Sequence, residues 1–173
     1  MKMKTMLTAV LLLTCLATSR AAETPKAGDK APAFSSQDQD GKTVTLADFA
    51  GKQSVLLYFY PKDMTPGCTK QACGFRDQMD ALKKDGVVVL GVSRDDAASH
   101  KKFIAAHGLT FALLVDTDGK ITEAYGAEMT GKSLSRRVSF LINKQGKVVH
   151  VTDSPSADKH LAEMKEALAK LKG

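Results

Sequence analysis

Residues 54–60 read Ser-Val-Leu-Leu-Tyr-Phe-Tyr, an unbroken apolar and aromatic run that Pro61 ends. A strand with one wet face alternates apolar and polar side chains. A run without alternation is predicted to be a strand buried on both faces. Layers must then cover the sheet on each side, which confines the chain to layered architectures of strands and helices.

The rest of the pattern fills in those layers. Asp40-Gly41, between Phe34 and the alternating Thr43-Val44-Thr45, predicts a small hairpin. Thr65 suits an N-cap and Pro66 the first helical position, so one helix is predicted over 66–84. A second buried strand follows at 87–92, a helix at 97–107, a strand at 111–115 and a short helix at 121–125. Strands at 138–142 and 147–151 are joined by a turn at 143–146. The last helix begins near Ser154-Pro155 and places Leu161, Met164, Leu168 and Leu171 on one face. The predicted class is α/β, a mixed central sheet flanked by helices; a thioredoxin-like fold fits that order, as other α/β folds do.

The N-terminus has a different character. Lys2 and Lys4 precede an apolar run from Met6 to Ala17, then the small residues Ser19, Ala21 and Ala22. A basic start, a short apolar centre and a small-residue site are the layout of a secretory signal. The run is about 12 residues, short of the roughly 20 that span a bilayer. We therefore expect residues 1–21 to be a cleaved signal peptide, 22–173 to be one domain, and the mature chain to be exported, either periplasmic or secreted. A retained anchor is the alternative, and no stable membrane association is expected. Cleavage removes Lys2, Lys4 and Arg20 but no acid, so the net charge of +6 falls to +3. That excess is too small and too scattered to argue for a nucleic-acid partner, and none is expected. Hydrophobic residues at 43% and charged residues at 25% are ordinary for a folded soluble chain.

Cleavage also removes Cys15 and leaves only Cys68 and Cys73. As a structural bridge, a loop this short would be a poor staple, because the entropy gained falls with loop length. On a helical wheel Cys68 falls with Ala72, Phe75, Met79 and Leu82 within about 40° of one line, while Cys73 lies about 140° away among Asp77, Asp80, Lys70 and Lys84. A small core residue is the plain explanation of Cys68, but a cysteine on a polar face is unusual. Cys68 also sits in the first turn, where unpaired N–H groups and the positive end of the helix dipole favour a thiolate. On an intact helix the two Cα atoms are about 8.6 Å apart. A disulfide needs less than about 7 Å, so bonding would unwind the first turns.

The stretch from Tyr58 to Asp77 resembles the active-site segment of peroxiredoxins, most closely the bacterioferritin comigratory protein, or Q-type, subfamily. Its Pro-x-x-x-Thr-x-x-Cys signature is complete as Pro61, Thr65 and Cys68, and Cys73 matches a resolving position. Arg136-Arg137-Val138-Ser139-Phe140-Leu141-Ile142 resembles the segment of the family's catalytic arginine, which falls on Arg137. Gly91 to Asp95 and Ser99 to Phe103 match the middle region. Met64, Gln71 (a common glutamate) and Thr110 depart from the usual pattern. The resemblance implies a thioredoxin-like fold and a thiol-dependent peroxidase acting on hydrogen peroxide and organic hydroperoxides. It implies that Cys68 attacks and becomes a sulfenic acid, Thr65 aligns the peroxide, Arg137 stabilises negative charge and Pro61 shields the sulfur. Cys73 would then close an intramolecular disulfide, opened by a thioredoxin-like or other dithiol reductant. No cofactor or metal is implied, and a monomer is expected rather than a dimer.

Other readings compete. An exported thiol–disulfide oxidoreductase acting on proteins shares the fold, but it usually carries Cys-x-x-Cys. A copper chaperone would need methionine or histidine ligands near the pair, and none is evident. Arg136 and Arg137 would otherwise be a solvated pair. His100 and His107, seven apart on one helix face, are expected at the surface. Asp116 and Asp118 before Gly119 suggest a turn, because the further ligands of a calcium loop are missing.

Overall fold

The computed structural model describes residues 23–171; the expected signal peptide lies outside them. Strand β3 (Ser54–Phe59) is buried at every position, as its composition requires. It lies at the centre of a five-stranded sheet ordered β5-β4-β3-β6-β7. On one side β3 pairs in parallel with β4 (Val87–Ser93), which pairs in parallel with β5 (Ala112–Val115). On the other side β6 (Val138–Ile142) and β7 (Val148–Asp153) run antiparallel. The sheet is mixed and flanked by helices, in a thioredoxin-like α/β arrangement. The expected hairpin forms separately from β1 (Ser35–Gln37) and β2 (Thr43–Thr45).

Alternate residues of β3 feed two cores, one on each face of the sheet. Leu56, Tyr58 and Tyr60 pack with Cys68, Ala72, Phe75, Phe103 and Met164. Val55, Leu57 and Phe59 pack with Phe34, Tyr125, Val138 and Phe140 on the opposite face. Helix α3 (Ala97–His107) has the expected bounds and ends at Gly108, whose φ of 57° is the left-handed cap that glycine favours. Asp96 begins α3, accepting the Ser99 N–H at 2.8 Å. The closing helix α5 (Ala157–Leu171) buries Met164 and Leu168 and half-buries Leu161, but Leu171 at its end is exposed.

One expectation about the helices needs correction. The helix predicted over 66–84 is two helices, α1 (Pro66–Arg76) and α2 (Met79–Lys84). The turn between them is held by Gln78, whose N–H bonds Phe75 O at 3.1 Å and whose side-chain amide donates to Gly74 O at 3.1 Å. Arg76 is drawn across to the His107 carbonyl, at the end of α3. Met79 and Leu82 are still buried, because a single tight turn leaves both on the sheet-facing side. The short helix α4 (Lys120–Ala124) follows the Asp116–Gly119 turn, and the buried Asp116 carboxylate accepts from the N–H groups of Ile121 and Thr122 and from the Thr122 hydroxyl. Asp116 thus organises the start of α4.

Candidate active site

The site lies where β3 ends. Tyr60 N–H makes the last ladder bond, to Val92 O at 3.1 Å; Pro61 has no N–H to continue it, and the chain turns out of the sheet. Residues 61–65 form a short loop fastened from beneath. The buried Asp63 carboxylate accepts from the Tyr60 hydroxyl at 2.7 Å and the Ser99 hydroxyl at 2.7 Å, and it meets His100 Nδ1 at 2.9 Å. Asp63 N–H in turn bonds the Asp95 carboxylate at 3.0 Å. Burial pushes Asp63 up, but the His100, Tyr60 and Ser99 hydrogen bonds outweigh it and hold the carboxyl below its ordinary 3.8. Above this anchor Met64 adopts φ 61°, a left-handed conformation uncommon outside glycine, and its side chain is 53% exposed.

His100 was expected at the surface; it is fully buried, with Nε2 3.2 Å from Leu114 O. Its helix face is the one that carries the buried Phe103, and a charged loop residue 37 positions earlier supplies its partner. The half-buried His107 packs edge-on against Phe103.

Thr65 occupies the N-cap position of α1, and its carbonyl accepts from Thr69 N–H at 2.8 Å. Its side chain makes no cap bond. The hydroxyl instead donates to Lys62 O at 2.9 Å, which leaves the oxygen's lone pairs available as acceptors. Cys68 follows in the first turn, only 1% exposed, and both cysteines are free thiols. Cys73 is half-buried five residues on within the same unbroken helix. Burial drives the Tyr58 phenol well above its ordinary 10, and the nearby Cys68 adds to that shift, so Tyr58 stays protonated.

Arg137 reaches the site from the first turn's other side, just ahead of β6. Its Nη2 lies 3.4 Å from Cys68 Sγ, its Nη1 donates to Gln71 Oε1, and its Nε donates to Pro155 O at 3.1 Å. Each of the three guanidinium nitrogens therefore has a partner. Gly67 permits the approach: a Cβ there would stand 3.1 Å from Arg137 Nη2. Arg136 turns away, pairing with Asp153 at 2.9 Å and donating to Thr24 Oγ1 at 2.6 Å. The adjacent arginines have separate tasks.

The structure thus brings Arg137 to Cys68 in the first turn of the helix that follows Thr65, with Pro61 at the head of the loop before it, and leaves Cys73 one and a half turns away. Such a site can hold a sulfur beside a fixed fork of donors at a helix N-terminus. Asp63, Ser139 and His160 were not among the expected site residues, and Gln71 stood out only as a departure from the family pattern. One signal was available: His160 stands four residues before Met164, in the apolar stripe of the last helix.

Residues 27–151 match the AhpC/TSA family. Peroxiredoxin Bcp of Escherichia coli is 50% identical over 141 residues, covering 78% of this chain and 90% of that protein. The crystal structure of peroxidoxin BcpB from Mycobacterium tuberculosis superposes with a TM-score of 0.77 at 34% identity, covering 86% of this chain and 97% of that one. A structure of the bacterioferritin comigratory protein of Xanthomonas campestris, solved for insight into its alkyl peroxide reduction, gives a TM-score of 0.74 at 31% identity, covering 81% and 92%. With its fold and its gathered cysteine, threonine and arginine, the chain belongs to the AhpC/TSA family and is a thiol peroxidase of the bacterioferritin comigratory, or Q-type, peroxiredoxin class.

Proposed function

We propose that the chain reduces hydrogen peroxide and organic hydroperoxides through an atypical two-cysteine cycle within one polypeptide. The observation that carries this reading is Cys68 in the first turn of α1 with Arg137 Nη2 3.4 Å from its sulfur. The Cys68 thiolate attacks one peroxide oxygen; an S–O bond forms, the O–O bond breaks, and the far oxygen leaves as water or an alcohol after taking a proton. Arg137 stabilises the sulfur's charge and the charge developing on the leaving oxygen. Thr65, whose own proton is given to Lys62 O, accepts the peroxide's hydrogen bond and sets the line of attack. Pro61 closes the other side of the sulfur. Organic hydroperoxides are included because the Xanthomonas campestris relative was studied for alkyl peroxide reduction.

Cys73 then attacks the Cys68 sulfenic acid, forming the disulfide and releasing water. A dithiol of thioredoxin type supplies two electrons by exchange and restores both thiols. The cycle needs only one chain, and we assign a monomer. The N-terminal pattern assigns an exported address, in an oxidising compartment that must deliver such a reductant.

Peroxide consumption by the purified protein with a thioredoxin-type reductant tests the cycle. The wild type should turn over, Cys68→Ser should be inactive, and Cys73→Ser should stop after one peroxide per chain. Normal cycling of Cys73→Ser with that reductant would remove Cys73 from its resolving role.

A further inference from the structure

A chain of hydrogen bonds runs from the arginine at Cys68 into the body of the protein, and its direction is fixed at both ends. Arginine has no acceptor, so Arg137 Nη1 donates and Gln71 must present its oxygen. The Gln71 amide nitrogen therefore faces Ser139 Oγ, at 3.4 Å the longest link, and donates to it. At the far end His160 Nε2 stands 2.9 Å from Ser154 O, a carbonyl that only accepts, so Nε2 carries the proton. In the neutral ring Nδ1 is then a bare acceptor, and Ser139 completes the chain by donating to it at 2.7 Å. Every donor has one acceptor and the directions agree throughout. Gln71, Ser139 and His160 are each fully buried, where a wrongly directed polar group costs about 1–3 kcal/mol.

We propose that His160 is a positioning residue for the peroxidatic site: its neutral ring, protonated at Nε2, holds Ser139 and through it Gln71, so that Gln71 offers its oxygen to Arg137 and keeps the guanidinium at the Cys68 sulfur. The neutral ring is favoured by its surroundings. Burial holds His160 below its ordinary 6.5, against the Ser154 hydrogen bond; the charge of Arg137 pushes it the same way as burial, and Glu163 and Asp153 oppose. The relay also ties the site to α5. Gly74 of α1 lies against Leu161, beside His160, so closely that a Cβ there would come within 2.4 Å of it. Lys70 of α1 pairs with Asp158 of α5 at 2.7 Å.

This inference rests on the roles given above to Cys68 and Arg137, and the test separates the two. The rate of Cys68 oxidation is measured in a single turnover with hydrogen peroxide, for the wild type, His160→Leu, His160→Asn and Ser139→Ala. A wild-type protein whose Cys68 does not react removes the underlying reading. With a reactive wild type, His160→Leu and Ser139→Ala should each slow oxidation about tenfold, as loss of a partner that orients a functional group does. His160→Asn, whose amide oxygen can take the place of Nδ1, should restore most of the rate. Unchanged rates in the leucine and alanine variants would overturn the proposal, and so would an equal loss in leucine and asparagine variants, which marks simple packing. Should these variants fail to fold, the nitrogen chemical shifts of the wild-type His160 ring decide: a proton on Nε2 with Nδ1 bare supports the relay, and a proton on Nδ1 overturns it.

Discussion

At the scale of single residues, the site was legible where chemistry demands a residue type at a fixed spacing, and illegible where a fold brings distant groups together. Pro61, Thr65 and Cys68 announce themselves because a strand stop, an N-cap and a first-turn thiol must follow one another in order. Asp63 and His100 do not, since nothing local shows that a loop carboxylate and a helix imidazole 37 residues apart share one buried contact. Without the family pattern, Arg137 is distinguished from Arg136 only by where their partners lie. Arg137 spreads three donors over Cys68, Gln71 and Pro155, a geometry no lysine reproduces. Arg137→Lys should therefore slow sulfenic acid formation about 100-fold while thermal stability stays near that of the wild type; an unchanged rate in stopped-flow oxidation would refute the role. Asp63 gives a pH prediction. Its folded pKa lies below 3.8, so its contribution to stability is complete above that pH and is lost as the pH falls through the lower folded value. Asp63→Asn should lack this acidic limb in urea titrations, and at pH 7 it should be less stable by about 3 kcal/mol, since one partner of a buried pair is gone. Parallel pH curves for the two proteins would contradict it.

At the scale of elements, periodicity located nearly every strand and helix, and it failed where a long-range contact bends the chain. The sequence from Pro66 to Lys84 is helix-forming throughout, yet Gln78 folds back on Gly74 and Arg76 reaches the end of α3, and the helix divides. The division has a consequence for the cycle. Helix α1 carries both cysteines and is only 11 residues long, so it can unwind from its N-terminus while α2 remains packed through Met79 and Leu82. An intact helix holds the Cα atoms of Cys68 and Cys73 about 8.6 Å apart, too far for a disulfide. Oxidation should then cost residues 65–77 their amide hydrogen-exchange protection, while β3 keeps its own. Equal protection of α1 in reduced and oxidised protein, with the intramolecular disulfide confirmed by mass, would refute the unwinding step.

At the scale of the whole molecule, a central strand buried on both faces divides the protein into two cores, and the catalytic segment springs from that strand's C-terminal end. The alternation of apolar runs and helices was enough to place β3 among helices. It could not give the order β5-β4-β3-β6-β7, because strand neighbours are chosen by long-range pairing that no local pattern records. The fold supplies a base in β3 and β6, an anchored loop in residues 61–65, and one short helix that carries both cysteines. In the proposed cycle Cys68 meets the peroxide and Cys73 resolves the product within the same chain. Treating reduced protein with one equivalent of hydrogen peroxide, with no reductant present, and locating the oxidised sulfurs by peptide mass spectrometry tests it most directly. A Cys68–Cys73 disulfide is expected within single chains of the wild type, and a sulfenic acid trapped at Cys68 in Cys73→Ser. Oxidation that begins at Cys73, or a Cys68 left reduced while peroxide is consumed, would contradict it.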